Sequence, residues 1–139
     1  MDFVYKTKIN IDDYKYLLKE VGWKIQSDRQ LKLALDSTMF LSACFYKDKI
    51  VGVARLVGDY GSRGLLCNVL VLEEYRRKGI GKAMVENIKE MVYESLLENE
   101  EFMICLLPTN GKRDFYIKCG FKYRPEKMDG MYTWIKREE

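Results

Sequence analysis

A short basic segment in the middle of the chain combines cationic side chains with glycines at the predicted start of a helix. It contains, in order, Arg76, Arg77, Lys78, Gly79, Ile80, Gly81 and Lys82. The first turn of a helix carries main-chain N–H groups without helical partners and a partial positive charge, so it attracts anions. The glycines let an anion approach the main chain, and the Arg and Lys side chains add charge-assisted hydrogen bonds. This combination predicts a site for a pyrophosphate.

Two common phosphate-binding motifs do not fit this segment. A Walker loop requires Gly-x-x-x-x-Gly-Lys-Ser/Thr, and a dinucleotide-binding loop requires Gly-x-Gly-x-x-Gly. Neither pattern is present in the basic segment. ATP and NAD sites of those two kinds are therefore disfavoured. The alternative interpretation is a solvated basic loop that opens a helix without binding a ligand.

Hydrophobic periodicity indicates the elements that position this segment. A buried strand at residues 65–72 precedes it, interrupted by the polar Asn68, and a long amphipathic helix at residues 79–97 follows it. The rest of the pattern predicts, in chain order, a strand at 3–9, helices after Asn10 and after a Ser27–Gln30 capping box, a hairpin at 39–57, a strand at 102–107, a helix at 110–118, and strands at 121–123 and 131–135. This order predicts an α/β protein with a mixed sheet (α+β).

The composition excludes several kinds of chemistry and location. The chain has no histidine, which excludes Ser-His-Asp and Cys-His catalysis and removes the commonest metal ligand. Four cysteines lie in apolar segments without a CxxC pair, at Cys44, Cys67, Cys105 and Cys119. We expect reduced core thiols, no metal site and a cytoplasmic location. The N-terminal sequence does not resemble a signal peptide, and no apolar run approaches the roughly 18 residues of a membrane span, so we expect no membrane partner.

Size and charge predict one globular domain over residues 1–139. The chain is 47% hydrophobic and 32% charged, which is typical of a protein with a closed core. Its 24 basic and 21 acidic residues give a net charge of +3. That balance is unlike a general polyanion binder, and Glu73 and Glu74 dilute the basic segment, so we expect no nucleic-acid partner.

Two motifs resemble one protein family. Arg76-x-x-Gly79-x-Gly81 resembles the coenzyme A pyrophosphate loop of the GNAT (GCN-related N-acetyltransferase) superfamily, Gln/Arg-x-x-Gly-x-Gly/Ala. Residues 115–121, Phe-Tyr-Ile-Lys-Cys-Gly-Phe, resemble the C-terminal Phe-Tyr-x-x-x-Gly-Phe element of that family. The element order agrees as well, so the resemblance covers nearly the whole chain and is strongest to small bacterial members. It implies a central mixed sheet of six to seven strands, splayed at a bulge and flanked by about four helices.

The resemblance also implies acetyl-CoA as cosubstrate and a role for each matching residue. The main chain of Val69, Leu70 and Val71 would pair with the pantetheine arm, and the amides of residues 77–82 would hold the pyrophosphate. Asn110 is a further cofactor-binding candidate, although the family's spacing falls on Thr109. The alternative role of Asn110 is to cap the helix that follows.

Tyr116 aligns with the family's tyrosine near the thioester sulfur and is the candidate catalytic acid. A phenol with a pKa of about 10 is a suitable proton donor to a departing thiolate at neutral pH. The alternative role of Tyr116 is packing. The general base of many relatives, a glutamate on the central strand, corresponds here to Leu65. An ordered water or an amine that enters deprotonated remains as the alternative, with Asp59, Glu73 or Glu126 as unassigned helpers.

The leading hypothesis is an N-acetyltransferase that moves an acetyl group from acetyl-CoA to a primary amine by direct attack. The acceptor is a small-molecule amine or a protein amine, and a homodimer is left open. We expect residues 23–36, 59–64 and 124–131 to shape the acceptor pocket. Aromatic or acidic side chains there include Trp23, Tyr60, Asp59, Glu126 and Asp129, with Met128 as an apolar neighbour. The alternative hypothesis is a non-catalytic acyl-CoA binding or sensing domain.

Overall fold

The computed structural model describes residues 1–124, 131, 133–134 and 136–137. The chain divides into two compact units, Met1–Leu106 and Leu107–Glu139. The first unit contains the sheet and three α-helices, and the second contains one short helix among its described residues. The expectation of a single domain over the whole chain stays a prediction. None of the helices in the described ranges combines the length and apolar character that a membrane crossing requires.

Five strands form one mixed sheet whose spatial order follows the chain. They are β1 (Phe3–Lys6), β2 (Phe40–Tyr46), β3 (Lys49–Gly58), β4 (Arg63–Val71) and β5 (Met103–Cys105). Neighbouring strands from β1 to β4 are antiparallel, whereas β4 and β5 are parallel. Lys47 and Asp48 join β2 to β3 with φ values of 47° and 65°, as a tight hairpin turn requires. The predicted mixed sheet and its hairpin are confirmed.

Four α-helices accompany the sheet in the described residues: α1 (Ile11–Glu20), α2 (Asp28–Asp36), α3 (Ile80–Ser95) and α4 (Arg113–Lys118). A short 3-10 helix, Glu73–Tyr75, lies between β4 and α3. The Asn10 side chain caps α1 by accepting the Asp13 N–H at 2.8 Å. Ser27 and Gln30 form the predicted capping box at the start of α2. These side chains satisfy N–H groups that a helix start would otherwise leave unpaired.

Helices cover both faces of the sheet within residues 1–106. On one face, α1 and α2 contribute Leu17, Leu18 and Leu31 to a buried cluster that includes Val53 and Leu70. On the other face lies α3, whose Ile80, Met84, Val85, Ile88 and Val92 are buried. The Asn87 amide on α3 donates to the Ser42 hydroxyl at 3.1 Å. The sheet is therefore a fixed layer between two sets of helices.

A bulge interrupts β4 at Asn68. Val53 pairs with Leu70 and Arg55 pairs with Cys67, so two steps along β3 match three steps along β4. Asn68 takes up the extra residue with a φ of 52°. The parallel pairing with β5 covers only residues 63–65 of β4 and ends at Leu65. Because a bulge bends and twists its strand, β4 continues beyond Leu65 without β5 beside it.

Several predicted boundaries differ from the structure. The sheet has five strands in the described residues rather than six to seven, and residues 121–123 form no strand. The strand predicted at residues 131–135 includes positions outside the described residues. The predicted strand at 102–107 shortens to Met103–Cys105, since β4 turns away at its bulge. The helix predicted from residue 110 begins at Arg113, because Gly111 has a φ of 82° that no α-helix contains.

Replacing Gly58 by alanine is expected to destabilise the fold. A Cβ at this position would collide with the main-chain oxygen of Arg63 at the end of the β3–β4 connection. We expect Gly58→Ala to lower the free energy of unfolding by about 1–3 kcal/mol. Gly61→Ala in the same connection is the matched control, because its Cβ would lie 3.8 Å from the nearest atom, Asp59 Oδ1. Chemical denaturation compares the two variants, and equal stability of Gly58→Ala and Gly61→Ala would contradict the turn geometry.

Candidate functional site

The C-terminal half of β4 offers main-chain groups on the edge opposite β3. The Leu72 N–H donates to the Val51 carbonyl of β3 at 2.9 Å, and the Leu70 carbonyl lies against Gly52 of β3. Successive residues of a strand direct their main-chain groups to opposite sides, so those of Val71 point away from β3. The Arg76 Nε accordingly donates to the Val71 carbonyl at 3.0 Å.

Because main-chain groups point alternately toward and away from β3 along β4, the three residues predicted to contact the pantetheine arm are not equally available to it. Of the three residues predicted to pair with the arm, Leu70 is directed to β3 and Val69 lies beside Asn68 in the bulge. Val71 has its main-chain N–H on the edge that β5 does not cover. We therefore expect Val71, rather than Leu70, to provide the strand-like hydrogen bond.

Tyr75, which directly precedes the basic segment, packs against two other aromatic rings. The Tyr75 ring lies 6.4 Å from the Phe3 ring and 5.9 Å from the Tyr46 ring, measured between centroids. The next residues turn sharply, with Arg77 at a φ of 62° and Gly79 at 82°. A tight turn between a buried strand and a helix is thereby held to the sheet through Tyr75.

The start of α3 has N–H groups that no side chain caps. Gly79 is the N-cap residue and makes no side-chain cap hydrogen bond, and the first turn contains no acidic residue. The first helical bond runs from the Ala83 N–H to the Gly79 carbonyl at 3.0 Å. The N–H groups of Gly79, Ile80, Gly81 and Lys82 thus lack α-helical partners. A Cβ on Gly79 would meet nothing within 4 Å beyond its chain neighbours, so there is space beside the N-cap residue.

The predicted phosphate-site residues come together here, but not in equal roles. Arg76, Arg77, Lys78 and Lys82 are exposed and can bring cationic groups to an anion. Ile80 is 1% exposed and packs in the core, so it contributes only its main chain. The donor set of main-chain N–H groups and cationic side chains fits a diphosphate.

A hydrogen-bonded network holds the bulge of β4. Asn68 Oδ1 accepts from the Tyr14 hydroxyl and from Arg55 Nε, each at 2.9 Å. Arg55 also donates to the Thr38 hydroxyl at 2.8 Å and to the Ala34 carbonyl at 3.2 Å. Burial raises the pKa of the Tyr14 phenol, an effect that the nearby Arg55 opposes. In the sequence, Asn68 is evident only as a polar interruption of a buried strand, and that interruption is the one local signal of this network.

In the second unit, Tyr116 lies on α4 in an aromatic environment. Its ring makes edge-on contacts with Phe115 and Phe121 at centroid distances of 5.0 Å and 6.0 Å. Burial, and secondarily the Cys119 thiol, raise the pKa of this phenol above its usual value. Tyr116 is therefore protonated at neutral pH, the state that a proton donor needs.

The profile of the acetyltransferase (GNAT) domain family matches residues 36–123, which is more than half of the chain. The chain belongs to this family. An uncharacterized N-acetyltransferase, ycf52, of Gracilaria tenuistipitata var. liui is 25% identical over 135 residues, covering 94% of this chain and 71% of the relative. Among solved structures, a probable acetyltransferase of meticillin-resistant Staphylococcus aureus has a TM-score of 0.85 at 21% identity, covering 96% of this chain and 100% of that one. A GNAT family acetyltransferase of Streptococcus pneumoniae TIGR4 has a TM-score of 0.76 at 26% identity, covering 99% and 100%.

In this GNAT protein, neither Leu65 nor Asp59 is suited to act as the general base. Leu65, at the position of the family glutamate, lies on β4 and has no titratable group. Asp59 Oδ1 accepts the N–H groups of Gly61, Ser62 and Arg63, and these bonds hold the pKa of the Asp59 carboxyl well below its usual range. Glu73 is exposed on the 3-10 helix.

Other predicted site residues are distributed differently from the expectation. Asn110 is exposed in a turn and does not cap α4, whose N-cap is Lys112 without a side-chain hydrogen bond. Its alternative role as a helix cap is therefore wrong, while its cofactor role stays a prediction. Tyr60 is 65% exposed and donates to the Thr38 carbonyl at 3.3 Å. Glu126, Met128 and Asp129 lie outside the described residues.

The Tyr116 phenol is expected to ionise above the ordinary tyrosine pKa near 10. Its folded-state pKa is raised, so the stabilisation from the neutral phenol is complete below about pH 10 and declines as the pH rises further. Ultraviolet difference titration of the wild type against Tyr116→Phe isolates this group. The same titration in denaturant is the control and should return the transition to about 10. A folded-state transition at or below that pH would contradict the buried environment.

Proposed function

We propose that this GNAT protein transfers the acetyl group of acetyl-CoA to a primary amine. The observation that carries the proposal is the start of α3, where Gly79 leaves the first-turn N–H groups uncapped, with space beside Gly79 and exposed cationic side chains around it. An ordinary surface helix favours a capping side chain and acidic residues at this end. Membership of the acetyltransferase family supports a coenzyme A pyrophosphate as the anion.

Coenzyme binding divides between the turn and the strand. The first-turn amides of α3 bind the pyrophosphate, and Arg77, Lys78 and Lys82 neutralise its charge. Arg76 anchors the turn to β4 through its bond to the Val71 carbonyl. The pantetheine arm extends along the β4 edge beyond Leu65, where the β5 ladder has ended.

The reaction is a direct acyl transfer without a covalent enzyme intermediate. The lone pair of a neutral amine forms a C–N bond with the thioester carbonyl carbon, and the C–S bond breaks. Attack gives a tetrahedral adduct whose ammonium nitrogen loses its proton to water, and Tyr116 gives its phenolic proton to the departing thiolate as the amide forms. The tyrosine then regains a proton from solvent. Because Leu65 cannot accept a proton, the amine reacts from the fraction that is already neutral or through an ordered water.

The absence of a carboxylate base at Leu65 is the feature that favours a second candidate, an acyl-CoA binding or sensing domain. Thiol release from acetyl-CoA across a panel of small amines and a peptide amine separates the two functions. Release that requires an amine supports the transferase. Tight coenzyme binding without release by any amine supports the sensing domain.

We further propose that the protein works in a reducing compartment such as the cytoplasm. Its four cysteines are free thiols, with Cys44 and Cys119 buried and Cys67 and Cys105 half-buried. Burial raises the pKa of the Cys44 and Cys67 thiols, which keeps them protonated and unreactive. A homodimer stays a prediction.

Removing the Tyr116 hydroxyl is expected to affect chemistry but not coenzyme binding. Loss of a positioned general acid lowers kcat by about 100-fold or more. We expect Tyr116→Phe to show that loss in a thiol-release assay while calorimetry gives an unchanged Kd for coenzyme A. Tyr123→Phe, which removes an exposed phenol of the same unit, is the control and should keep wild-type turnover. Equal loss of turnover and affinity in Tyr116→Phe would count against the acid role.

Two glycines with the same backbone conformation test the pyrophosphate site. Gly79 and Gly22 have φ values of 82° and 75°, and a Cβ on either would meet no protein atom within 4 Å. Alanine at either position therefore introduces a similar left-handed strain of about 1–2 kcal/mol. We expect Gly79→Ala to weaken coenzyme A binding at least about 10-fold, because the methyl group occupies the anion's space. Gly22→Ala should bind normally in calorimetry, and equal affinities of the two variants would exclude this site.

A further inference from the structure

The carboxamide of Asn68 is held in one orientation. Its Oδ1 accepts two hydrogen bonds, from the Tyr14 hydroxyl and from Arg55 Nε. Both of these groups donate in this arrangement, so the oxygen end faces them and the NH₂ end faces away. Tyr14 is 3% exposed and Arg55 is anchored to Thr38 and Ala34. The side chain is therefore fixed by residues from α1, α2, β3 and the α2–β2 connection.

The Nδ2 end of this carboxamide remains available. Within the described ranges, both hydrogen bonds of the Asn68 side chain fall on Oδ1. Asn68 is half-buried, and no fully buried side-chain polar atom of the described residues lacks a partner. Nδ2 is therefore not completely buried, and it can only donate a hydrogen bond.

The side chain of Asn68 lies on the face of the sheet that α1 and α2 cover, close to the strand edge proposed for the coenzyme. Its partners Tyr14 and Arg55 place its side chain on the α1 and α2 face, and the opposite face is covered by α3, with Met84 close to Gly52. The bulge directly precedes Val71, whose main chain offers the edge for the coenzyme arm. An amine that attacks a thioester held on this edge comes close to Asn68.

The charge beside Asn68 is positive. The guanidinium of Arg55 is half-buried, and its hydrogen bonds go to the neutral oxygens of Asn68, Thr38 and Ala34. Among the described residues, the salt bridges join other cations, namely Lys15, Lys32 and Lys89. Because the Asn68 Nδ2 donor lies next to the Arg55 cation, it favours an oxygen atom of the amine substrate as its partner. The same positive charge disfavours a second ammonium group on the substrate.

Building on the proposed acetyl transfer, we propose that Asn68 determines acceptor specificity: its Nδ2 donates to an oxygen on the carbon next to the amine-bearing carbon of the substrate. The substrate class is an amine with a neighbouring hydroxyl, carbonyl or carboxylate, such as an amino alcohol, an amino sugar or an amino-acid derivative. Alkyl polyamines are poor substrates, because they lack the oxygen and carry additional positive charge.

Matched pairs of amines test this assignment. 2-Aminocyclohexanol with cyclohexylamine, and 1-amino-2-propanol with propylamine, each compare an amine bearing one neighbouring oxygen with its deoxy counterpart. We expect kcat/KM from thiol release, corrected for the neutral fraction of each amine, to favour the oxygen-bearing member by about 10-fold, as one well-placed hydrogen bond allows. Calorimetric binding of the same amines to the coenzyme A-saturated protein measures the preference independently of turnover.

Asn68→Asp keeps an oxygen for Tyr14 and Arg55 and tolerates the left-handed backbone, but it replaces the donor by an acceptor and adds a negative charge beside Arg55. It should abolish the preference, whereas Asn87→Asp, the same change on the α3 face at the residue bonded to Ser42, should preserve it. Asn68→Gly, which also tolerates the positive φ, removes the donor without adding a charge and should abolish the preference as well, with thermal melting as the check on folding. The ratio of preferences between variants cancels differences in amine basicity.

The outcomes separate this inference from the proposed function. Thiol release with both members of each pair at equal kcat/KM, unchanged in Asn68→Asp, overturns the role of Asn68 while leaving the acetyltransferase intact. Absence of thiol release with any amine overturns the proposed transfer, and calorimetry then decides the role of Asn68 by itself. A preference that disappears in both Asn68→Asp and Asn87→Asp also overturns the assignment, since it would reflect general damage to the sheet.

Discussion

The bulge at Asn68 is the constraint on which the candidate site depends. β4 must remain paired with β3 along most of its length and still separate from β5 after Leu65. One extra residue in β4 permits both, since a bulge bends its strand while the ladder continues on either side. Asparagine tolerates the left-handed backbone better than most residues because its short polar side chain bonds locally. The two hydrogen bonds on Oδ1 supply that bonding and tie the bulge to Tyr14 and Arg55.

The start of α3 is a second place where the chain lacks a stabilising interaction that a bound anion would replace. A serine or aspartate at the N-cap would satisfy an N–H group and stabilise the helix by about 1 kcal/mol. Gly79 does neither and adopts a left-handed conformation instead. The loss is offset by anchors on either side, because Tyr75 packs against Phe3 and Tyr46, and Ile80 is buried in the core. A rigid turn with unsatisfied donors is the arrangement that an anion completes.

Local sequence patterns predicted most of the elements but not the relations between them. The helix caps at Asn10 and Ser27, the hairpin at Lys47 and the long helix after Gly79 each depend on residues close in sequence, and each is confirmed. The lengths of β5 and α4 were overestimated, because apolar periodicity does not show where a partner strand turns away or where Gly111 adopts a positive φ. The residues that the motif resemblance assigns to the phosphate site lie together in one turn at the start of α3, and their role stays a prediction. The network around Asn68 joins residues as far as 54 positions apart, which no local pattern contains.

The positive character of the Arg55 network also bears on the lack of a carboxylate at Leu65. A cation next to the acceptor disfavours the protonated form of an incoming amine, so it lowers the amine's pKa and raises the neutral fraction that can attack. An electron-withdrawing oxygen on the neighbouring carbon acts in the same direction within the substrate itself. An acceptor of this class therefore needs less help in losing its proton than an alkyl amine does. A chain with Leu65 in place of a carboxylate base is chemically consistent with acceptors that deprotonate readily, which links the absent base and the fixed carboxamide of Asn68 to one property of the substrate.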